Sequence, residues 1–201
     1  NLPKDANIGM APHSLRAVSK PSFANALPDS GPIHMHLAEQ QAEVDEIATA
    51  YGARPVEWAL DNLPINNRWC LIHCTQMQPH ETTRLAATGA VAGLCPITES
   101  SLGDGIFDAI RWFEGRGAIG IGSDSNIRIA LAEELRTLDY SQRLRDHTRA
   151  ALASADKSTG RRLYDAALSG GAQALGRASA AIDVGQWADL TALDDAATDM
   201  I

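Results

Sequence analysis

The sequence has no CxxC pair, no excess of basic charge and no long apolar run. Its three cysteines, Cys70, Cys74 and Cys95, are odd in number, so reduced thiols in a cytoplasmic protein are expected. They read as small buried hydrophobes. Asp and Glu outnumber Lys and Arg by 25 to 17, and the net charge of −8 argues against non-specific nucleic-acid binding. No apolar stretch approaches the roughly 20 residues that a bilayer-spanning helix needs, so no membrane partner is expected. The opening residues NLPKDANIGM lack a basic segment followed by an apolar one, so no signal peptide is expected. Aromatic residues are scarce at 5%, and the four tryptophans form no recognisable cage. What is left is an ordinary globular composition of 201 residues, 45% of them hydrophobic.

Within that composition, short apolar runs alternate with amphipathic stretches, the signature of βα units and a parallel sheet. Five strands are expected, at Ile8–Pro12, Ile33–Leu37, Trp69–Cys74, Val91–Cys95 and Ala118–Gly122. Helices are expected at Gln40–Tyr51 (closed by Gly52), Pro55–Leu63, Pro79–Thr88 and Ile106–Glu114. A long helix over Ala132–Leu152 turns Leu131, Leu135, Leu138 and Leu144 inward and leaves Glu133, Glu134, Arg143 and Arg145 on a solvated face. Two short helices, Arg161–Leu168 and Gly171–Leu175, are expected on either side of Gly170-Gly171. A final strand over Asp189–Leu193 would belong to a separate small β domain.

Four groups that bind or serve a divalent metal stand where the apolar runs end: His36 and Glu39 in IHMHLAE, His73 in CLIHC and Asp124 in GIGSDS. Strand ends so far apart in sequence meet only if the strands lie side by side, as at the C-terminal mouth of a parallel barrel. Imidazole and carboxylate donors there point to metal-assisted hydrolysis. Each residue also has an ordinary reading. A lone histidine on a strand is usually a rim residue, and Asp124 could cap a helix starting at Asn126. His34, one pleat deeper than His36, reads as a packing group. His13 and Arg16 in APHSLR sit just past the first strand, where Arg16 could grip a carboxylate bidentately or form a surface salt bridge. Thr98, Glu99 and Ser100 either line the site or build the turn, and spacing does not decide between these.

Taken together, APHSLRA, HxHLAEQ with EV shortly after, RWCLIHCT, GAVAGLCPITES with LGDGIF, and GIGSDSN with EELRTLDYSQRLRD resemble the formimidoylglutamate deiminase family of the amidohydrolase superfamily. The resemblance runs from about Asn7 to Asp195. It implies an α/β fold, the C-terminal part of a metal-dependent (β/α)8 barrel over residues 1–180, with 181–201 starting a small β-sandwich. It implies one divalent ion, taken as Zn²⁺, bound by His36 and Asp124. Glu39 would be the acid/base carboxylate, His73 the second catalytic imidazole and Asp124 the acceptor of the attacking water's proton, while His13 and Arg16 hold the substrate. The implied reaction is hydrolysis of N-formimino-L-glutamate to N-formyl-L-glutamate and ammonia, a C–N bond cleavage in histidine degradation. The implied partner is a small dicarboxylate, with a homodimer as the assembly considered.

Two departures stand out. The family's further H-x-H, which completes its metal site, is not in this sequence, because His34-x-His36 precedes L-A-E and lies one strand before His73. A complete barrel typically takes about 250 residues, so part of a larger enzyme is expected, with an open sheet edge that would make the piece prone to aggregate. Ser101 also stands where an Asn is expected. Two other readings stay open: a deaminase of guanine or another aminated ring, and a catalytically silent fragment or scaffold.

Overall fold

The structure, a computed structural model, describes residues 3, 6–178 and 180–192. Four parallel strands form one sheet in chain order: β1 (Ile33–Leu37), β2 (Trp69–His73), β3 (Val91–Leu94) and β4 (Ala118–Ile121). The helices are α1 (Lys20–Ala26), α2 (Gln41–Tyr51), α3 (Pro55–Asn62), α4 (Pro79–Ala86), α5 (Pro96–Leu102), α6 (Ala109–Glu114), α7 (Leu131–Asp146) and α8 (Thr159–Ala174). The strands and the helices between them form a βα arc, part of a (β/α) barrel. No helix among the described residues is long and apolar enough to cross a membrane.

The expected first strand, Ile8–Pro12, does not form as a strand. The segment instead makes two isolated parallel bridges, Met10 with Ile33 and Ser14 with His36. It still runs alongside β1, because the Met10 carbonyl accepts from His34 N–H and the His13 carbonyl from His36 N–H. The two bridges carry His13 to the same end of the sheet as the end of β1.

In β1, Ile33, Met35 and Leu37 are buried, while His34 and His36 lie half-buried on the opposite face, the period-2 alternation of a strand. The main core lies between the sheet and the surrounding helices and contains Trp58, Trp69, Phe107 and Trp112. Three of the four tryptophans are therefore core residues, and Trp187 is exposed. The three cysteines are buried and free, in line with their reading as small hydrophobes.

Several helical expectations need correction. The long helix ends at Asp146, where His147 adopts a left-handed φ of 54° and caps it. Leu135 and Leu138 are buried, but Leu131, at the first residue of the helix, is 44% exposed and Leu144 is 78% exposed. Leu144 follows Leu135 by nine residues, two and a half turns, and so faces the other way. Glu134, expected on the solvated face, is buried because its Oε2 accepts from Ile97 N–H at 2.8 Å. The Gly170-Gly171 pair does not break a helix, since α8 runs continuously through it. Gly170 instead allows close approach: a Cβ there would lie 2.0 Å from the Ile119 carbonyl oxygen. In this way α8 packs directly on β4, the last strand of the sheet. The stretch PITESSL, left open as site lining or turn, is helix α5.

The strand expected over Asp189–Leu193 is not formed at 189–192, and Leu193 lies outside the described residues. A strand exists only when a neighbour takes its backbone hydrogen bonds, and none lies beside this segment among the described residues.

The two adjacent glycines of α8 should respond oppositely to alanine. Gly170→Ala forces a methyl into the β4 backbone and should lower stability by about 1–3 kcal/mol. A Cβ on Gly171 meets nothing within 4 Å, so Gly171→Ala should raise stability by about 0.5–1 kcal/mol. Urea midpoints of the two variants test this, and a shift of the same sign in both would contradict it.

Candidate active site

The parallel register aligns the strand ends. Leu37 pairs with His73, Ile72 with Gly93, and Leu94 with Ile121. The chain turns sharply just past these ends. Ala38, His73, Cys74 and Asp124 all have positive φ, at 52°, 71°, 53° and 53°. Non-glycine residues adopt this region rarely and at a cost, and such strain gathers at functional sites. Here it turns side chains off the sheet axis into one cleft.

That cleft, about 470 Å³ in volume, is lined by all six residues expected at the site: His13, Arg16, His36, Glu39, His73 and Asp124. Thr98, Ser101, Ser125 and Asn126 complete its polar wall. His34 does not join them. It lies toward the opposite end of the sheet, with its Nε2 2.7 Å from the Ala174 carbonyl at the end of α8. Asp124 caps no helix, because the next helix begins only at Leu131.

His73 is the deepest group, with 1% of its side chain exposed, against 16% for Glu39 and 28% for Asp124. Its Nε2 is 3.6 Å from Glu39 Oε1 and 3.9 Å from Asp124 Oδ2, and its Nδ1 is 3.2 Å from Glu99 Oε1. Burial pulls the imidazole pKa down. The hydrogen bond with Glu99 and the charges of Glu39, Glu99 and Asp124 pull it up more strongly, so the net shift is upward.

The Glu39 loop is tied from below. Both oxygens of the buried Glu43 carboxylate are used, accepting from Ala38 N–H at 2.9 Å and Glu39 N–H at 2.8 Å. At the rim, the His13 ring lies 4.9 Å from His36, which in turn lies 5.7 Å from His73. Arg16 approaches Glu46 only at 4.0 Å, and both side chains are substantially exposed. So long a surface pair contributes little and leaves the guanidinium available to the cleft.

The donor set fits a divalent cation. The His13 carbonyl can only accept, so the 2.9 Å contact from His36 Nδ1 fixes the ring proton there. His36 Nε2 therefore keeps its lone pair, the arrangement that metal-ligating histidines adopt. Two carboxylates close to a buried imidazole also call for positive charge. Among the described residues, His73, Cys95 and Asp124 have donor atoms within 4.8 Å of one another. Cys95 is the weaker donor of the three, because burial pushes its thiol pKa up and only the thiolate ligates well. His36 and Asp124 are the better pair of hard and borderline ligands.

Three groups here were left undecided or missed from the sequence. Glu99 is 4% exposed and touches His73 directly. The strand-end pattern that singled out Glu39 and Asp124 would have found it if applied to β3. Glu43 and Glu134 carry no such signal, since each looks like an ordinary acidic residue on a helix.

The sequence matches the Amidohydrolase family profile over residues 4–200. It is 48% identical to the formimidoylglutamate deiminase of Pseudomonas aeruginosa over 94% of this chain and 42% of that protein. A solved structure of an amidohydrolase from Brucella melitensis superposes with a TM-score of 0.83 at 47% identity, over 86% of this chain and 41% of that one. An adenosine deaminase from Xanthomonas campestris, solved with bound zinc, superposes with a TM-score of 0.82 at 25% identity, over 98% of this chain and 46% of that one. The chain thus spans less than half the length of these relatives. From the family profile along almost the whole chain, and the shared fold that carries this cleft, it follows that the chain belongs to the amidohydrolase family.

Proposed function

We propose that this chain serves the zinc-dependent hydrolysis of N-formimino-L-glutamate to N-formyl-L-glutamate and ammonia. One observation carries the reading: a single cleft joins a buried imidazole flanked by carboxylates, a histidine with a free Nε2, and a His–Arg pair at its rim. The similarity to the Pseudomonas aeruginosa deiminase supports the same substrate.

A divalent ion held by His36 and Asp124, with ligands from elsewhere in the enzyme, would supply Lewis acidity and lower the pKa of water toward about 7. Asp124, beside His73 and partly open to solvent, takes the proton of the attacking water. The new C–O bond forms at the formimino carbon, and the C=N π electrons move onto the nitrogen. His73, whose Nε2 faces Glu39 and Asp124, stabilises the charge that develops as the C=N bond opens. Glu39 relays the water's proton to that nitrogen. As the tetrahedral carbon collapses, the hydroxyl proton follows by the same carboxylates, so ammonia leaves and the formyl group remains. Arg16 and His13 hold a substrate carboxylate at the rim.

The adenosine deaminase neighbour favours a second reading, an aminated purine as substrate. Such rings are usually clasped by aromatic faces, yet no Phe, Tyr or Trp is among the described residues lining the cleft. A panel of N-formimino-L-glutamate, adenosine and guanine separates the two readings by ammonia release. Turnover of the purines alone would replace the proposal.

Three further outcomes are expected. Glu39→Gln should keep its metal, measured by elemental analysis, while kcat falls by about 10²–10⁴-fold; wild-type turnover would remove Glu39 from the mechanism. Arg16→Met should raise KM for N-formimino-L-glutamate more than it lowers kcat, because a carboxylate grip acts mainly on binding. A larger effect on kcat would contradict that role. His73 also predicts a pH dependence in metal-free protein. Its pKa is higher folded than unfolded, so its contribution to stability is complete below about 6.5. That contribution is lost as pH rises through the elevated folded value. The urea midpoint of the wild type should therefore drop toward that of His73→Asn as pH rises, and a gap that widens would reverse the sign of the shift.

A further inference from the structure

The bond between α5 and His73 has no part in the mechanism above, yet its geometry is specific. Glu99 is buried, and its Oε1 accepts both from Cys95 N–H at 2.9 Å and from His73 Nδ1 at 3.2 Å. An ionised carboxylate offers only acceptor sites. The ring proton of neutral His73 must then sit on Nδ1, and Nε2 is the atom that meets Glu39 and Asp124. The helix carrying Glu99 is itself pinned to other elements at two places. Ile97 N–H donates to the buried Glu134 carboxylate at 2.8 Å. Thr98 Oγ1 donates to the Ser123 carbonyl at 3.2 Å, one residue before Asp124. The C-terminus of that helix is closed locally, where Asp104 N–H donates to the Glu99 carbonyl at 2.9 Å. A carboxylate serving only to cap the chain after β3 would need Cys95 N–H and nothing else. Glu99 spends the same oxygen on the ring.

We propose that Glu99 is a positioning residue for His73. It fixes the imidazole in the Nδ1–H tautomer and aims Nε2 into the cleft. The inference rests on the reading of His73 as the catalytic imidazole. It also explains why α5 lies where it does. One short helix holds His73 through Glu99 and the turn before Asp124 through Thr98, so the two groups keep a fixed relation to each other.

The first test needs no substitution. Long-range ¹H–¹⁵N spectra of the zinc-loaded wild-type enzyme, at a pH where the ring is neutral, should show His73 protonated on Nδ1. A ring protonated on Nε2 overturns the proposal. The second test uses two variants in the zinc-loaded enzyme. Glu99→Ala should lower kcat by about 10- to 100-fold, with zinc content kept and KM little changed. Glu99→Gln, whose amide oxygen can accept both N–H groups, should recover most of that loss. Wild-type kcat in Glu99→Ala, or no recovery in Glu99→Gln, overturns the proposal. If Glu99→Ala does not fold, the wild-type tautomer still decides. A wild-type enzyme inert toward N-formimino-L-glutamate would sink the substrate assignment while leaving the tautomer measurement to judge Glu99.

Discussion

Negative charge gathered at the ends of four parallel strands has to be held in place and balanced, and much of the architecture serves those two needs. Glu39, Glu99 and Asp124 surround the buried ring of His73, with Glu43 and Glu134 buried close behind. Carboxylates withdrawn from water are costly unless something replaces the lost hydration. Glu43 is satisfied by two backbone N–H groups, and Glu99 by one N–H and an imidazole. Glu134 has one oxygen on Ile97 N–H and the other without a partner, and burial accordingly raises its pKa. Glu39, Glu99 and Asp124 together raise the pKa of the ring they surround, against the effect of its burial. The acids that shape the loops are thus also the source of the site's affinity for positive charge.

The parts of this arrangement that follow from local pattern could be read in the sequence. β1 to β4 are short apolar runs at regular spacing, and the structure forms them within a residue of where periodicity puts them. Four of the cleft residues, His36, Glu39, His73 and Asp124, could be found because each stands where an apolar run ends and can bind or serve a metal, whereas for Arg16 spacing left a surface salt bridge equally open. What could not be read depends on tertiary contact. Glu134 looks solvated on its own helix and is buried only because Ile97 lies opposite. Gly170 and Gly171 look like a helix break, and only the nearness of the Ile119 backbone shows why one of them is needed. The first segment reads as a strand yet makes only two bridges, since a β pattern becomes a strand only as far as neighbours pair with it.

The cleft also sorts its groups by depth. His73 is sealed at the bottom, Glu39 and Asp124 lie above it with partial access to water, and His13 and Arg16 stand at the rim. A group that must keep a defined charge and tautomer belongs where solvent cannot exchange with it. Groups that pass protons to and from water belong where water reaches. This gradient is what the proposed hydrolysis asks for, with the carboxylate of the proposed substrate outside and its reactive carbon drawn inward.

The left-handed backbone at Ala38, His73, Cys74 and Asp124 also bears on how such an enzyme can change over time. Each of these turns costs about 1–2 kcal/mol relative to a glycine in the same place. Selection for heat resistance would therefore be drawn to Ala38, where glycine relieves the strain at the loss of one methyl, rather than to Cys74, whose buried side chain would leave a cavity. The chain would become firmer as a whole and looser at the joint that aims Glu39. Robustness and catalytic aim are set against each other at the same few backbone angles, and any lineage carrying this cleft has to settle that conflict there.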